Sequence, residues 1–342
     1  MRRFLAAPEG RLAVITLVIF AGMSLLSREQ FLSVQNITSM AFQFPEFAIL
    51  ALAMTITMLT GGIDLSVVGI ANLSAIVAAL ILTRLAPGVT GGDAILWLGI
   101  AMAAALAVGL AAGLFNGVAV AVFGLPPILA TLGSGLIFTG IAIALTGGSA
   151  VMGFPAAAAW LGNATLAGVP VPLVLFALLA GGLAFVLRRT AFGLRVEMFG
   201  ANPLAAHFAG VDVTRLLVRV YAVSGVLAAF AGLVVMSRAN SAKADYGSSY
   251  LLLAVLIAVL GGVNPYGGYG RVVGVVLAVL SMQFLSSGLN MLGVSNFARE
   301  LIWGALLLVV MVVNAGSWPR LRARSRATAE PGLQPSPGTE TT

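Results

Sequence analysis

The chain has 342 residues, 60% of them hydrophobic and 8% charged, with a net charge of +7 and no cysteine; its mean hydropathy is +1.07. A water-soluble domain is about a quarter charged, so the composition excludes one and makes lipid the solvent. It also excludes a disulfide framework and any thiolate metal site.

In chain order, Arg2, Arg3 and Arg11 flank an apolar run at 12–26. No small-x-small cleavage pattern follows and many more runs do, so this segment reads as a retained first span and not as a secretion signal. Further apolar runs fall at 42–60, 66–84, 94–123, 126–146, 170–187, 214–237, 250–260, 271–287 and 297–314. At roughly 20 residues per span, they predict an all-α polytopic transmembrane bundle of about ten spans with broken helices. A barrel would show short alternating segments instead. The run 250–260 is too short to cross alone. It either continues upstream through Tyr246–Ser249 or belongs to a broken helix, which is tolerated only inside protein or along a watery path. Residues 1–11 are expected to be a cytoplasmic N-terminus, 12–318 the transmembrane domain, and 319–342 a disordered cytoplasmic tail rich in Pro, Gly, Ser and Thr.

Starting inside, alternation puts Arg188–Arg219 and the cluster Arg320, Arg322, Arg324 and Arg326 in the cytoplasm, with both termini. The uncharged loop 147–169 falls outside, as the positive-inside rule requires. Arg238 and Lys243 fall outside against that rule. No aromatics interleave with the arginines, which disfavours a nucleic-acid surface. Trp97, Trp160, Trp303 and Trp318 suit interface belts.

One internal echo is visible. Ala48–Thr60 leads into Gly61-Gly62, Asp64 and Val67-Val68-Gly69; Ser248–Leu260 leads into Gly261-Gly262, Asn264 and Val272-Val273-Gly274. Glycine-broken repeats in transporters flank the substrate path. The span count orients both copies the same way, unless 94–123 hides a re-entrant piece.

Asp64 has two readings: a substrate or gating carboxylate at membrane depth, or a cap for the next helix together with Ser66. Asn72, Asn116, Thr131, Gln283 and Asn290 can bond a hydroxylated solute or a neighbouring helix. Asp64, Ser66, Asn72, Asn116, Thr131 and Asn264 are the candidates for a substrate path. His207 is the sole histidine, which rules out a histidine metal site. Lys243 is the sole lysine and carries no phosphate-cradling Gly-rich motif, so this polypeptide does not hydrolyse ATP. Asp64 stands nearly alone as an intramembrane carboxylate, whereas ion-coupled carriers keep several. A separate ATPase subunit is the economical source of energy. No Ser–His or paired-Asp arrangement supports an intramembrane enzyme.

Four blocks, within a likeness covering about 40–314, give the chain its family character. They are Gly61-Gly62-Ile63-Asp64-Leu65-Ser66; Asn116-Gly117 with Leu125–Gly133; Phe192-Gly193 with Gly200–Val211; and Leu260-Gly261-Gly262 with Gly267-Gly268-Tyr269-Gly270-Arg271 and Gly274. In this order they resemble the permease subunits of carbohydrate-type ATP-binding-cassette importers, the ribose and autoinducer group. The resemblance implies a multi-pass inner-membrane permease that binds no cofactor itself. It implies a second permease, identical or paralogous, cytoplasmic ATPases using ATP and Mg, and an extracytoplasmic solute-binding protein. The solute would be a monosaccharide or sugar-like molecule. The loop at about 188–214 would couple to the ATPase through Gly200, Asn202, Pro203, Ala205, Ala206 and Gly210. Asn202-Pro203 would start a short helix, with Ala205, Ala206 and Gly210 forming a small-residue face. Leu204 departs from the glutamate usual in the family, and Leu251, Leu252 and Leu253 replace its acidic residues. The first departure removes the glutamate for a docking salt bridge to the ATPase; the second suggests a subfamily with another solute, such as a polyol, a deoxy sugar or an autoinducer. The alternatives are a branched-chain amino-acid permease and a stand-alone ion-coupled carrier.

Overall fold

The computed structural model describes residues 8–316; Trp318, the Arg320–Arg326 cluster and the tail lie outside the described residues. Every apolar run becomes a helix. The first is α1 (Pro8–Leu26), followed by a short α2 (Arg28–Phe31) and then α3 (Val34–Met58). Next come α4 (Val67–Leu80), extended to Leu85 by a π-helical turn, α5 (Gly91–Ala121) and α6 (Pro127–Thr146). After a loop containing α7 (Trp160–Asn163) come α8 (Val171–Arg189), α9 (Ala191–Ala201), α10 (Pro203–Phe208) and α11 (Val213–Ala239). The chain closes with α12 (Tyr250–Leu260), α13 (Val272–Met291) and α14 (Asn296–Gly316). Eight of the described helices are long and apolar enough to span a membrane, and α12 is a shorter apolar helix.

Helix α3 begins eight residues before the apolar run that predicts it. Ser33 accepts a hydrogen bond from the Asn36 N–H at 3.2 Å, and this cap lets the polar stretch Gln35–Gln43 join the helix. Segment α12 does not continue upstream; residues 243–249 form turns and bends. Helix α5 is one continuous helix, with no re-entrant piece.

Loop contacts sort the connections onto two faces. On one, a two-stranded sheet joins Val151–Met152 to Ser241–Ala242, pairing Val151 with Ala242 and Met152 with Ser241. Ser237 Oγ accepts from Gly162 N at 2.7 Å, closing the same loop onto the end of α11. The opposite face holds the turn after α3, the turn after α12, and α9–α10. Arg271 reaches Glu9 there at 2.8 Å, so α1 starts on this side.

The two echoing segments run in the same direction. Tyr250 Oη donates to Glu46 Oε2 at 3.1 Å near the start of α12. Beyond its end, Gly268 N donates to Leu59 O at 3.0 Å. Both helices stop in the same way, with a left-handed glycine and an N–H returning five residues: Gly62 to Thr57 O at 3.2 Å, and Val263 to Ala258 O at 3.0 Å. The left-handed residue is Gly61 (φ 79°) in the first copy and Gly262 (φ 82°) in the second. Each pair of glycines therefore supplies one helix terminator.

Helix α11 lies at the centre, against α3, α4 and α5. Glycines 109, 113 and 117 form a seam on α5 along which α11 lies backbone to backbone. A Cβ at Gly113 would stand 2.3 Å from Tyr221 O, and one at Gly225 would stand 2.1 Å from Gly109 O. Small residues permit this approach, and dispersion between the closely set backbones holds it.

The sequence reading overlooks Glu46. It lies midway along α3, is 4% exposed, and forms an ion pair with Arg238 at the end of α11. It is therefore a second intramembrane carboxylate beside Asp64, but one already neutralised. The pair also accounts for Arg238 on the side the charge rule disfavours, as an ion pair with Asp245 at 2.8 Å accounts for Lys243. Removing one partner of a buried pair strands a charge, at a cost of about 3 kcal/mol. We expect R238Q to lower the thermal unfolding midpoint of the detergent-solubilised protein by several degrees, and E46Q/R238Q to recover most of the loss.

Candidate functional site

The turn between α3 and α4 gathers four of the six substrate-path candidates into one network. Asp64 is fully buried. Its Oδ1 accepts from Ser66 N at 3.0 Å and from Ser66 Oγ at 2.6 Å, and its Oδ2 accepts from Ser224 Oγ at 2.9 Å. The backbone bond closes a local turn just ahead of α4, whose N-cap, Ser66, makes no side-chain cap bond. Asn116 Nδ2 donates to Ser66 Oγ at 2.7 Å, and Thr131 Oγ1 accepts from Leu65 N at 3.0 Å. Two buried atoms beside this network, Asn116 Oδ1 and Tyr221 Oη, have no hydrogen-bond partner.

The other two candidates lie elsewhere. Asn72 donates to Ala244 O and Tyr246 O at 2.8 and 2.9 Å, tying α4 to the loop after α11. Asn264 braces its own turn, donating to Gly267 O at 2.6 Å and accepting from Tyr266 N at 3.2 Å. Sequence reasoning missed Ser224 and Tyr221. The available signal was the spacing of Gly109, Gly113 and Gly117, which predicts a helix lying close along α5 and so brings α11 to Asn116.

The four sequence blocks meet in space. Gly62 lies against Pro127, whose Cβ would be 3.3 Å from an added methyl. At Gly200, the last turn of α9, a Cβ would stand 1.9 Å from Leu59 O and 2.4 Å from Gly268 N. At Gly267 (φ 91°) it would stand 2.8 Å from Gly61 N and 2.9 Å from Gly200 O. The end of α9 is thus wedged between the tips of both broken segments, backbone on backbone.

The segment from Gly200 to Gly210 continues directly from this wedge. Asn202 Oδ1 accepts from Ala205 N at 3.0 Å, and Pro203 occupies the first turn of α10, where its missing N–H costs nothing. Gly210 (φ 79°) ends the helix, with Val211 N returning to Ala206 O at 3.1 Å. Asp212 then caps α11, accepting from Arg215 N at 2.9 Å. Of the small residues expected to form a face, Ala205 and Gly210 are exposed and Ala206 is buried. Leu204 and Phe208 are 66% and 81% exposed. Four residues apart, they share one side of the helix.

A multi-span bundle with two glycine-ended broken segments, touched by a short helix that shows apolar side chains to water, is the build of a membrane permease. Residues 36–311 match the family described as "Branched-chain amino acid transport system / permease component". The chain belongs to this family, so it is a multi-pass inner-membrane transport component and not an enzyme. Among its curated relatives is the autoinducer 2 import system permease protein LsrD of Klebsiella pneumoniae. It is 35% identical over 286 residues, covering 81% of this chain and 83% of the relative. The corresponding LsrD of Yersinia pseudotuberculosis is 33% identical, covering 88% of each chain. The ribose import permease protein RbsC of Escherichia coli K12 is 34% identical over 310 residues, covering 90% and 93%. No solved structure matches the chain.

Removing a donor from a buried carboxylate costs roughly 1–3 kcal/mol. S224A should therefore lower the unfolding midpoint measurably, and S224T, which keeps the hydroxyl, should do so less. G200V should be the more damaging change, because the obstacle it meets is backbone with no room to yield. Fluorescence size-exclusion profiles should show loss of the monodisperse peak.

Proposed function

We propose that the chain is the membrane-spanning subunit of an ATP-driven importer for a sugar-like solute, and that α10 carries the thrust of a separate ATPase into the bundle. The observation that carries this reading is the contact of Gly200 with Leu59 and Gly268, which joins the exposed helix to both broken segments without an intervening side chain. Leu204 and Phe208 suit insertion into an apolar cleft of a partner, and Leu204 removes the salt bridge that a glutamate would make there. Relatives named for autoinducer 2 and ribose import support a hydroxylated solute over leucine or a similar amino acid. The family description keeps the amino-acid reading as the alternative. The solute would be presented by an extracytoplasmic binding protein to the face built by 147–170 and 241–246.

In this reading the face bearing α10 is cytoplasmic, and the described arginines 188, 189, 195, 215 and 219 support that orientation. A second permease, identical or paralogous, would complete the path. Helices α5 and α6 leave apolar side chains such as Leu129, Leu136 and Ile137 exposed, a surface that lipid or that partner would cover. Asp64, Ser66, Asn116 and Thr131 are sealed from solvent in this conformation, and their role is to hold the first broken segment in register with α5, α6 and α11. The capped loop at 188–214 and the internal bonding of Asn264 suit two stiff elements bearing on that network.

Proteoliposomes containing the permease, its ATPase and its binding protein test the reading. L204D/F208D, or deletion of Asn202–Gly210, should abolish ATP-driven uptake and binding-protein-stimulated hydrolysis while membrane insertion stays normal. Accumulation by the purified chain alone under a proton or sodium gradient would overturn the proposal in favour of an ion-coupled carrier. Leucine in place of a sugar or polyol on the binding protein would assign the amino-acid branch.

A further inference from the structure

A cleft of about 1140 Å³ opens on the face that bears α10, between the starts of α1 and α13 and the ends of α8 and α14. Its walls are mixed in character. Leu187, Val272, Val273, Met311 and Val312 supply apolar surface, and Arg11, Arg188 and Arg271 line it at the helix ends. Val273, Met311 and Val312 are 50%, 43% and 69% exposed, so among the described residues the apolar part is uncovered. Helix α14 packs chiefly on α12.

The charges are not equivalent. Arg271 is engaged by Glu9 at 2.8 Å, whereas Arg11 and Arg188 form no ion pair among the described residues. An apolar slot between membrane helices with two unpaired arginines at its mouth is complementary to a molecule with a phosphodiester at one end and a hydrocarbon chain at the other. Glu197 and Thr190 stand in the same lining. The carboxylate disfavours a doubly charged phosphomonoester, and both side chains offer acceptors to a hydroxylated headgroup.

We propose that this cleft binds one anionic phospholipid of the surrounding leaflet, of the phosphatidylglycerol type. Its phosphodiester lies between Arg11 and Arg188, and an acyl chain lies along Val273, Met311 and Val312. The bound lipid fills the space beside α14 and ties it to α1 and α8. The site is separate from the Asp64 network and does not depend on what the permease carries.

Native mass spectrometry of the full-length chain, released from detergent after incubation with defined lipids, tests the site. One phosphatidylglycerol adduct should persist at detergent energies that strip phosphatidylcholine. With each cation near a membrane surface contributing about a fivefold factor, R11Q/R188Q should weaken retention about twenty-five-fold. R189Q removes a neighbouring arginine that does not line the cleft and should leave retention unchanged. V273W fills the slot while keeping both charges and should also lose the adduct. Should V273W fail to fold, the arginine pair with its R189Q control decides alone. Equal retention of the two lipids, or no effect of R11Q/R188Q, would overturn the proposal. Displacement of the lipid by glycerol 3-phosphate at equal concentration would reduce the cleft to a soluble-anion site and overturn it as well.

Discussion

A helix that ends leaves backbone donors and acceptors that something must satisfy. This chain ends its two echoing helices after Met58 and after Leu260, and much of its architecture answers that cost. Each break is closed by a left-handed glycine and a returning N–H. The two turns then serve one another, with Gly268 N on Leu59 O. The blocks that give the sequence its family character are those needed to bring these turns together. Their glycines are places where backbone must reach backbone.

Charge is handled by the same economy. Glu46 and Arg238 neutralise each other at the meeting point of α3 and α11, and Tyr250 adds the start of α12 to the pair. A lone buried ion would be expensive, but a shared one holds three helices in a single arrangement. Asp64 uses hydroxyl and backbone donors instead of a cation, so its network joins α3, α4, α5 and α11 with short-range bonds. In this conformation the polar side chains that are candidates for a solute path bond one another across helices.

The helices themselves were legible because hydrophobic length marks a span, and each of the ten runs became a helix, eight of the described ones long and apolar enough to cross a membrane. The start of α3 was not, since a serine cap recruited Gln35, Asn36 and Gln43 into a helix that hydropathy would end sooner. Glu46 escaped notice because a single carboxylate barely alters the mean of a long apolar run, although its position midway along α3 was a usable signal. Ser224 and Tyr221 were hidden for a different reason. Nothing in a linear chain says that α11 lies beside α5 except the glycine seam, and glycines are plentiful here. The orientation of the two echoing segments was readable from counting, since parity survives small errors in span boundaries.

The backbone wedge at Gly200 has a mechanical consequence. Side chains at an interface act as springs, because rotamers can shift to absorb small displacements, but main chain against main chain has no such compliance. A nudge delivered to the outer helix would therefore reach both glycine turns almost undiminished and at the same instant. Under the proposed coupling, the two glycine turns resting on this one pivot would move in phase.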